Sequence, residues 1–384
     1  MIKIYIFLFI LISVFSYGIV VGHYEFFPYE QIKKFKSIIV NDLENEQTDI
    51  SIYENDIDSL ISINSENDII LKKTNLINFI WKDTLPYSSP ISISEKINDE
   101  RYQDISNLKS IHKLTINMEY GVNSIAYLFL SETSNNKLII YHQGHSGDFI
   151  AGKETINFFL DEGYSVLAFS MPLLGMNNQP VVDLENFGKI KLTTHDHLRF
   201  LESSSFSPIK FFIEPIGTSL TYLDKNYSFD SYYMLGISGG GWTTVMFSAV
   251  DDRISQSYSI AGTLPMFMRS DSKNIGDYEQ IVPELYRIAN YLELYILSSY
   301  GDNRAHIQIF NKNDPCCFSG NISGIYDHKI NEKLLELNKG NFFLYMDNTH
   351  NKHEISEYSK SLISQSMNNL NLTKQIIVSI NSKT

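Results

Sequence analysis

Tyr232-Tyr233-Met234-Leu235-Gly236-Ile237-Ser238-Gly239-Gly240-Gly241-Trp242 is a short apolar run that ends in Gly-x-Ser-x-Gly and continues into an apolar segment of helix length through Val250. A serine between two glycines at a strand-to-helix junction is the pattern of a nucleophile elbow. A turn that tight forces strained backbone angles on Ser238. Gly236 and Gly240 fall where a Cβ would collide with neighbouring backbone. The serine Oγ is then held above a sheet at the N-terminus of the next helix, where free N–H groups and the helix dipole favour a developing oxyanion. The same residues also suit a Gly-rich loop entering a buried helix. The rest of the chain therefore has to supply a base, an acid and a second oxyanion donor in a workable order.

Working outward, residues 113–120 alternate as a strand, and residues 124–131 form its hairpin partner across a turn at 121–123. Residues 137–142 are a buried strand that runs into Gln143-Gly144-His145-Ser146-Gly147-Asp148. Helical spacing over 150–162 ends at Gly163, and residues 164–169 are the next apolar strand. An antiparallel lead-in followed by strand, helix and strand predicts an α/β protein with a mostly parallel sheet and crossover helices. Residues 176–206 read as loop and 208–224 as helix. Beyond the elbow, 254–260 is a strand, 262–300 a mainly helical excursion, and 306–310 and 341–345 are the last two strands. Helices are expected at 329–337 and 356–370.

Ser238 projects at the C-terminal edge of such a sheet, so its partners must leave later strands at that edge. Asp314 follows the 306–310 strand. Asp302 precedes that strand, at the wrong edge, and is rejected. His350 and His353 both follow the last strand, and either fits the base: His350 is nearer the strand end, and His353 abuts the closing helix. The order Ser238, Asp314, histidine is the one an elbow-type site requires. The second oxyanion donor is expected from the loop after 137–142. The donors are assigned to the amides of His145 and Gly239. His142-x-x-His145 and His195-x-His197 have the spacing of zinc ligands. The second pair, however, is followed by Leu198-Arg199 rather than by further ligands, so metal catalysis is set aside and no metal or cofactor is expected.

The bulk properties are those of a globular protein. The chain has 384 residues, 43% hydrophobic and 13% aromatic, with net charge −13. Nine Asp and Glu and no Lys or Arg between residues 41 and 70 account for most of the excess, and this run reads as a solvated face. An acidic chain with no basic cluster argues against nucleic acid as a partner. Lys3 precedes an apolar run over residues 4–21. It reads as a signal peptide cleaved after Ser16 or Gly18, or as an uncleaved anchor giving membrane association. Either implies export. Residues 23–110 are expected to be an irregular, partly helical extension packed on a main domain at 111–384. The two cysteines, Cys316 and Cys317, are adjacent, and are expected to pack as small apolar side chains.

These parts resemble the α/β-hydrolase superfamily over roughly residues 111–384. The matching pieces are Tyr141-His142-Gln143-Gly144-His145, the strand, elbow and helix of 235–250, Asp314, and the His350/His353 loop. The resemblance implies an eight-stranded, mostly parallel sheet with a helical insertion. Gly239-Gly240-Gly241-Trp242 is similar to the prolyl-oligopeptidase-like and acetylxylan-esterase-like branches. The usual histidine-then-glycine oxyanion motif is replaced here by Gln143-Gly144-His145. The implied activity is acyl transfer from a small-molecule or polymer-borne ester by a Ser-His-Asp mechanism. A serine peptidase and a non-catalytic binding protein of the same fold are the alternatives. Ester is favoured because nothing resembles a separate peptide-selecting domain.

Overall fold

The computed structural model describes residues 56–370, apart from 83, 270–273, 321 and 323, together with Ser13, Val14 and Tyr17. The segment expected to direct export and the acidic run up to residue 55 lie outside the described residues, apart from those three. No helix among the described residues is long and apolar enough to cross a membrane. The described residues from 56 to 370 fall in one compact unit.

Among the described residues, eleven strands and nine α-helices place the site. The strands are β1 (Ile91–Ile97), β2 (Leu108–Asn117), β3 (Asn123–Ser131), β4 (Lys137–His142), β5 (Ser165–Phe169), β6 (Val181–Leu184), β7 (Gly188–Lys191), β8 (Ser231–Ile237), β9 (Ile254–Ile260), β10 (Ala305–Asn311) and β11 (Asn341–Asp347). The helices are α1 (Glu66–Trp81), α2 (Lys153–Asp161), α3 (His195–Leu198), α4 (Lys210–Asn226), α5 (Gly239–Val250), α6 (Pro283–Ile288), α7 (Tyr291–Ser299), α8 (Asp327–Glu336) and α9 (Glu357–Asn368).

Nine strands form one sheet in the order β1-β2-β3-β5-β4-β8-β9-β10-β11. The first three are joined antiparallel, β3 pairs antiparallel with β5, and from β5 to β11 every pairing is parallel. The sheet is thus mixed and one strand larger than the expected eight. The additional strand is β1, in a stretch whose Ser-rich, partly charged sequence Ile91-Ser92-Ile93-Ser94-Glu95-Lys96-Ile97 leaves it half-exposed at the edge. It carries too little apolar signal to be read as a strand from sequence. Residues 176–206, expected as loop, hold the β6–β7 hairpin and α3.

The central strands are buried along almost their whole length because helices cover both faces, as a parallel sheet requires. Ile139, Tyr141, Val166, Leu235, Ile237, Ile260, Ile307 and Tyr345 share one continuous core. All twelve residues of α5 and all nine of α7 are buried, which explains why neither shows a polar face. Residues 62–89 are fastened to the main sheet and its helices by two buried carboxylates. Glu214 accepts from Trp81 Nε1 at 2.6 Å and from the Tyr87 and Ser89 amides at 2.8 Å. Glu293 accepts from the Ser62 amide at 2.8 Å and from Lys72 Nζ at 2.9 Å.

Candidate active site

Ser238 sits where β8 ends and α5 begins. Its backbone has φ 56° and ψ −127°, a region that costs a non-glycine residue on the order of 1–3 kcal/mol. The conformation is held from both sides: the Ser238 amide donates to the Ile260 carbonyl at 2.8 Å, and its carbonyl accepts from the Trp242 amide at 3.1 Å. The flanking glycines are there for space. A Cβ on Gly236 would strike the Gly240 backbone, and one on Gly240 would strike the His142 carbonyl.

The loop after β4 presses onto this turn. A Cβ on Gly144 would lie 2.6 Å from Ser238 Cβ and 3.3 Å from its Oγ, so only glycine fits there. The loop is shaped by its own side chains. The Gln143 amide donates to the Phe169 carbonyl at 2.9 Å, Tyr141 OH bonds to Gln143 Oε1, and Gln143 Nε2 donates to Ser146 Oγ. His142 is buried, stacks on Phe169 with centroids 6.1 Å apart, and shares its Nδ1 proton with the Gln143 carbonyl at 2.9 Å. Burial lowers its pKa to about 4, so it stays neutral and serves packing. The ring of His145 lies over Gly239, where a Cβ would collide with it.

The strand register carries the other candidates to the same edge. Ile237 pairs with Ile260, Ile260 with Ile309, and Asn311 with Asp347, so the chain leaves β8, β10 and β11 on one side. In the turn after β10, Asp314 is buried. Its Oδ1 accepts from the Cys316 amide at 2.8 Å and from the Cys317 amide at 3.4 Å. Its Oδ2 lies 2.7 Å from His353 Nδ1. A carboxylate only accepts, so this nitrogen carries the ring proton and Nε2 keeps its lone pair, the tautomer a general base needs. His350 is arranged the other way. Its Nδ1 accepts from the Lys352 amide at 3.2 Å, which leaves the proton on Nε2, 3.6 Å from Asp347 Oδ2. Asp302, rejected from sequence, lies before β10 at the opposite edge.

Three features were not visible in sequence. Asn311 staples the two loops together: its Nδ2 donates to Asp314 Oδ2 at 3.2 Å and to the Glu354 carbonyl at 3.1 Å. Nothing in its immediate sequence marks it. Asp277 and Glu279, from the excursion after β9, reach His145 Nε2 at 2.7 and 3.1 Å. Burial alone would lower the His145 pKa, but the bonds and charges of Asp277 and Glu279 prevail and raise it to about 10. Burial would likewise raise Glu279, yet the neighbouring His195 and His145 hold it well below the ordinary carboxylate range. Cys316 and Cys317 are joined to each other by a disulfide in an exposed turn, rather than packed as the small apolar pair expected. The turn that presents their amides to Asp314 points them away from the core.

A cleft of about 630 Å³ opens at the other edge of the sheet, lined by Glu66, Lys73, Ser231, Asp252, Tyr300 and Arg304. Its polar groups are paired with one another: Arg304 with Asp252 at 2.8 Å, while the Tyr300 hydroxyl donates to Glu66 at 2.8 Å. It is the seam where α1 meets the strand beginnings, remote in the sheet from Ser238.

Solved structures with this architecture include the acetyl xylan esterase from Paenibacillus sp. R4, with 14% identity and TM-score 0.52, covering 80% of this chain and 96% of that one. The glucuronoyl esterase from Solibacter usitatus matches with 11% identity and TM-score 0.51 over 75% of this chain and 89% of that one. Acetyl xylan esterase 1 from Thermoanaerobacterium sp. JW/SL YS485 matches with 13% identity and TM-score 0.50 over 80% and 96%. No family model matches the sequence, and no curated protein matches it. At such identities the likeness speaks to architecture alone, and that architecture is the α/β-hydrolase fold.

Proposed function

We propose that the protein is a serine hydrolase of carboxylic esters, with Ser238 as nucleophile, His353 as general base and Asp314 as the residue that orients it. The carrying observation is the 2.7 Å contact between His353 Nδ1 and Asp314 Oδ2, at the sheet edge where the strained turn presents Ser238. β8 and β10 are two strand spacings apart, roughly 10 Å. A histidine between their loops, held at Nδ1 by Asp314, has Nε2 free to receive the Ser238 proton.

In this mechanism Ser238 Oγ attacks the ester carbonyl while His353 Nε2 takes its proton. The amides of His145 and Gly239 hold the oxyanion, aided by the dipole of α5. His353 then protonates the leaving alkoxide, and water, activated by the same nitrogen, releases the acid. Asp314 stabilises the imidazolium. His145 donates through its backbone, since its ring is engaged by Asp277 and Glu279. The substrate is a small-molecule or polymer-borne acyl compound. The names of the acetyl xylan and glucuronoyl esterases that share the architecture agree with an ester rather than a peptide bond.

A fluorophosphonate probe, followed by peptide mass mapping, tests the reading. The expected result is one adduct on Ser238, absent in S238A, and turnover of p-nitrophenyl acetate that falls by ~10⁴-fold or more in that variant. An unlabelled wild-type protein that cleaves no short acyl ester would overturn it.

A further inference from the structure

Beside the nucleophile turn, four side chains from three separate segments converge. His145 Nε2 lies 2.7 Å from Asp277 Oδ2, 3.1 Å from Glu279 Oε1 and 3.1 Å from His195 Nδ1. His195 Nδ1 lies 3.1 Å from Glu279 Oε2. One ligating atom from each residue lies within 4.8 Å of all the others. The far side of His195 settles its tautomer: Nε2 is 3.0 Å from the Pro172 carbonyl, which can only accept, so Nε2 carries the proton. In the neutral ring Nδ1 therefore presents a lone pair to the cluster. A histidine whose outer N–H is anchored on a backbone carbonyl while the inner nitrogen faces carboxylates is the usual support of a metal ligand.

Size and charge fit as well. Ligands about 2.0–2.1 Å from a tetrahedral zinc ion are roughly 3.3 Å apart. The separations around the two imidazole nitrogens, 2.7–3.1 Å, are slightly shorter, and the whole set stays within 4.8 Å, so a small rearrangement admits an ion. Glu279 is fully buried, and among the described ion pairs it meets only histidines. A buried carboxylate needs a compensating charge, which without a metal the His145 ring supplies. One divalent cation would neutralise Glu279 and the half-exposed Asp277 together, leaving both imidazoles uncharged.

We infer that His145, His195, Asp277 and Glu279 form a binding site for one divalent transition-metal ion of the zinc class. His142 and His197, the other members of the two sequence pairs, contribute no atom to this cluster. The site ties the loop after β4 to α3 and to the excursion after β9. Since the His145 ring rests on Gly239, the ion would clamp the loop whose amide is the assigned oxyanion donor. That role rests on the esterase reading above, whereas the binding itself does not.

The test uses full-length protein stripped with a chelator and titrated with zinc chloride by calorimetry, and with cobalt chloride by visible absorption. The expected result is about one equivalent per chain, with intense tetrahedral cobalt bands. H195Q and E279Q should each weaken binding ~10–100-fold. S238A should bind as wild type. Asp277 lies at the rim, so D277N keeps the fold and should also weaken binding, even if E279Q does not fold. Zinc should raise the melting temperature of wild type but not of D277N. Uptake below about a tenth of an equivalent, or D277N and H195Q titrating as wild type, would overturn the site and leave a proton-sharing His–Glu cluster in its place. A protein that takes up zinc but accepts no fluorophosphonate would retain the metal site and lose the esterase reading. The reverse pattern would do the opposite.

Discussion

Two histidines follow β11, each facing an aspartate, and the pairs differ in which nitrogen is left over. Asp314 keeps one oxygen for His353 and lends the other to two backbone amides, so His353 is fixed with its proton inward and its lone pair outward. Asp347 is spent on its own surroundings: Oδ1 accepts from the Thr349 amide at 2.9 Å and its hydroxyl at 2.6 Å, and Oδ2 accepts from Ser356 and Ser359 hydroxyls. His350 faces that saturated carboxylate with its protonated nitrogen, which makes no hydrogen bond. Identical residue types three positions apart thus present a free ring lone pair in one case and brace a loop in the other. The difference lies in what else each carboxylate must satisfy.

The comparison is most directly broken by exchanging the histidines. H353A should lower kcat/KM by ~10⁴-fold or more. H350A should leave it within about an order of magnitude, a change of 1.4 kcal/mol. Steady-state ester hydrolysis by the two variants checks this, and a reversed ranking would make His350 the base. D314N comes next. Asparagine can offer its N–H to His353 Nδ1 and so hold the wrong tautomer, for which a loss on the order of 10⁴-fold in kcat is expected, with KM little changed.

The smallest effect concerns Asp347 and is read in stability. Burial would raise its pKa, but the hydroxyls of Ser356, Ser359 and Thr349 outweigh that and lower it. A carboxyl whose folded pKa lies below its unfolded value adds stability above the unfolded pKa, near 3.9, and that stability is lost as pH falls through the folded value. D347N should therefore cost about 1–3 kcal/mol near neutral pH. The gap from wild type should shrink below about pH 4, while activity per folded molecule changes little. Urea unfolding of both proteins across that range measures it. A gap that widened on acidification would contradict the account.

Much of this arrangement was legible in the chain. The apolar strands at 137–142, 164–169 and 254–260 appear within a residue of where periodicity puts them, because buried parallel strands leave almost continuous apolar runs. The glycines around Ser238 announce a turn with no room for Cβ. The order of Ser238, Asp314 and the two histidines follows from which edge each strand reaches. By contrast β1 was missed, since an edge strand needs few apolar residues and takes its shape from pairing with β2. Asn311 was missed because its role is to bridge two loops some forty residues apart in sequence.

The sequence by itself determined the parallel core of the sheet, the elbow and the candidate acid, because these depend on local patterns of apolar and small residues along one chain segment. Only the tertiary structure decided which histidine presents a free nitrogen, and that His145 and His195 share a pocket with Asp277 and Glu279. Those are questions of tautomer and lone-pair direction, fixed by partners 39 residues away for His353 and 134 for His145. No run of neighbouring residues encodes them.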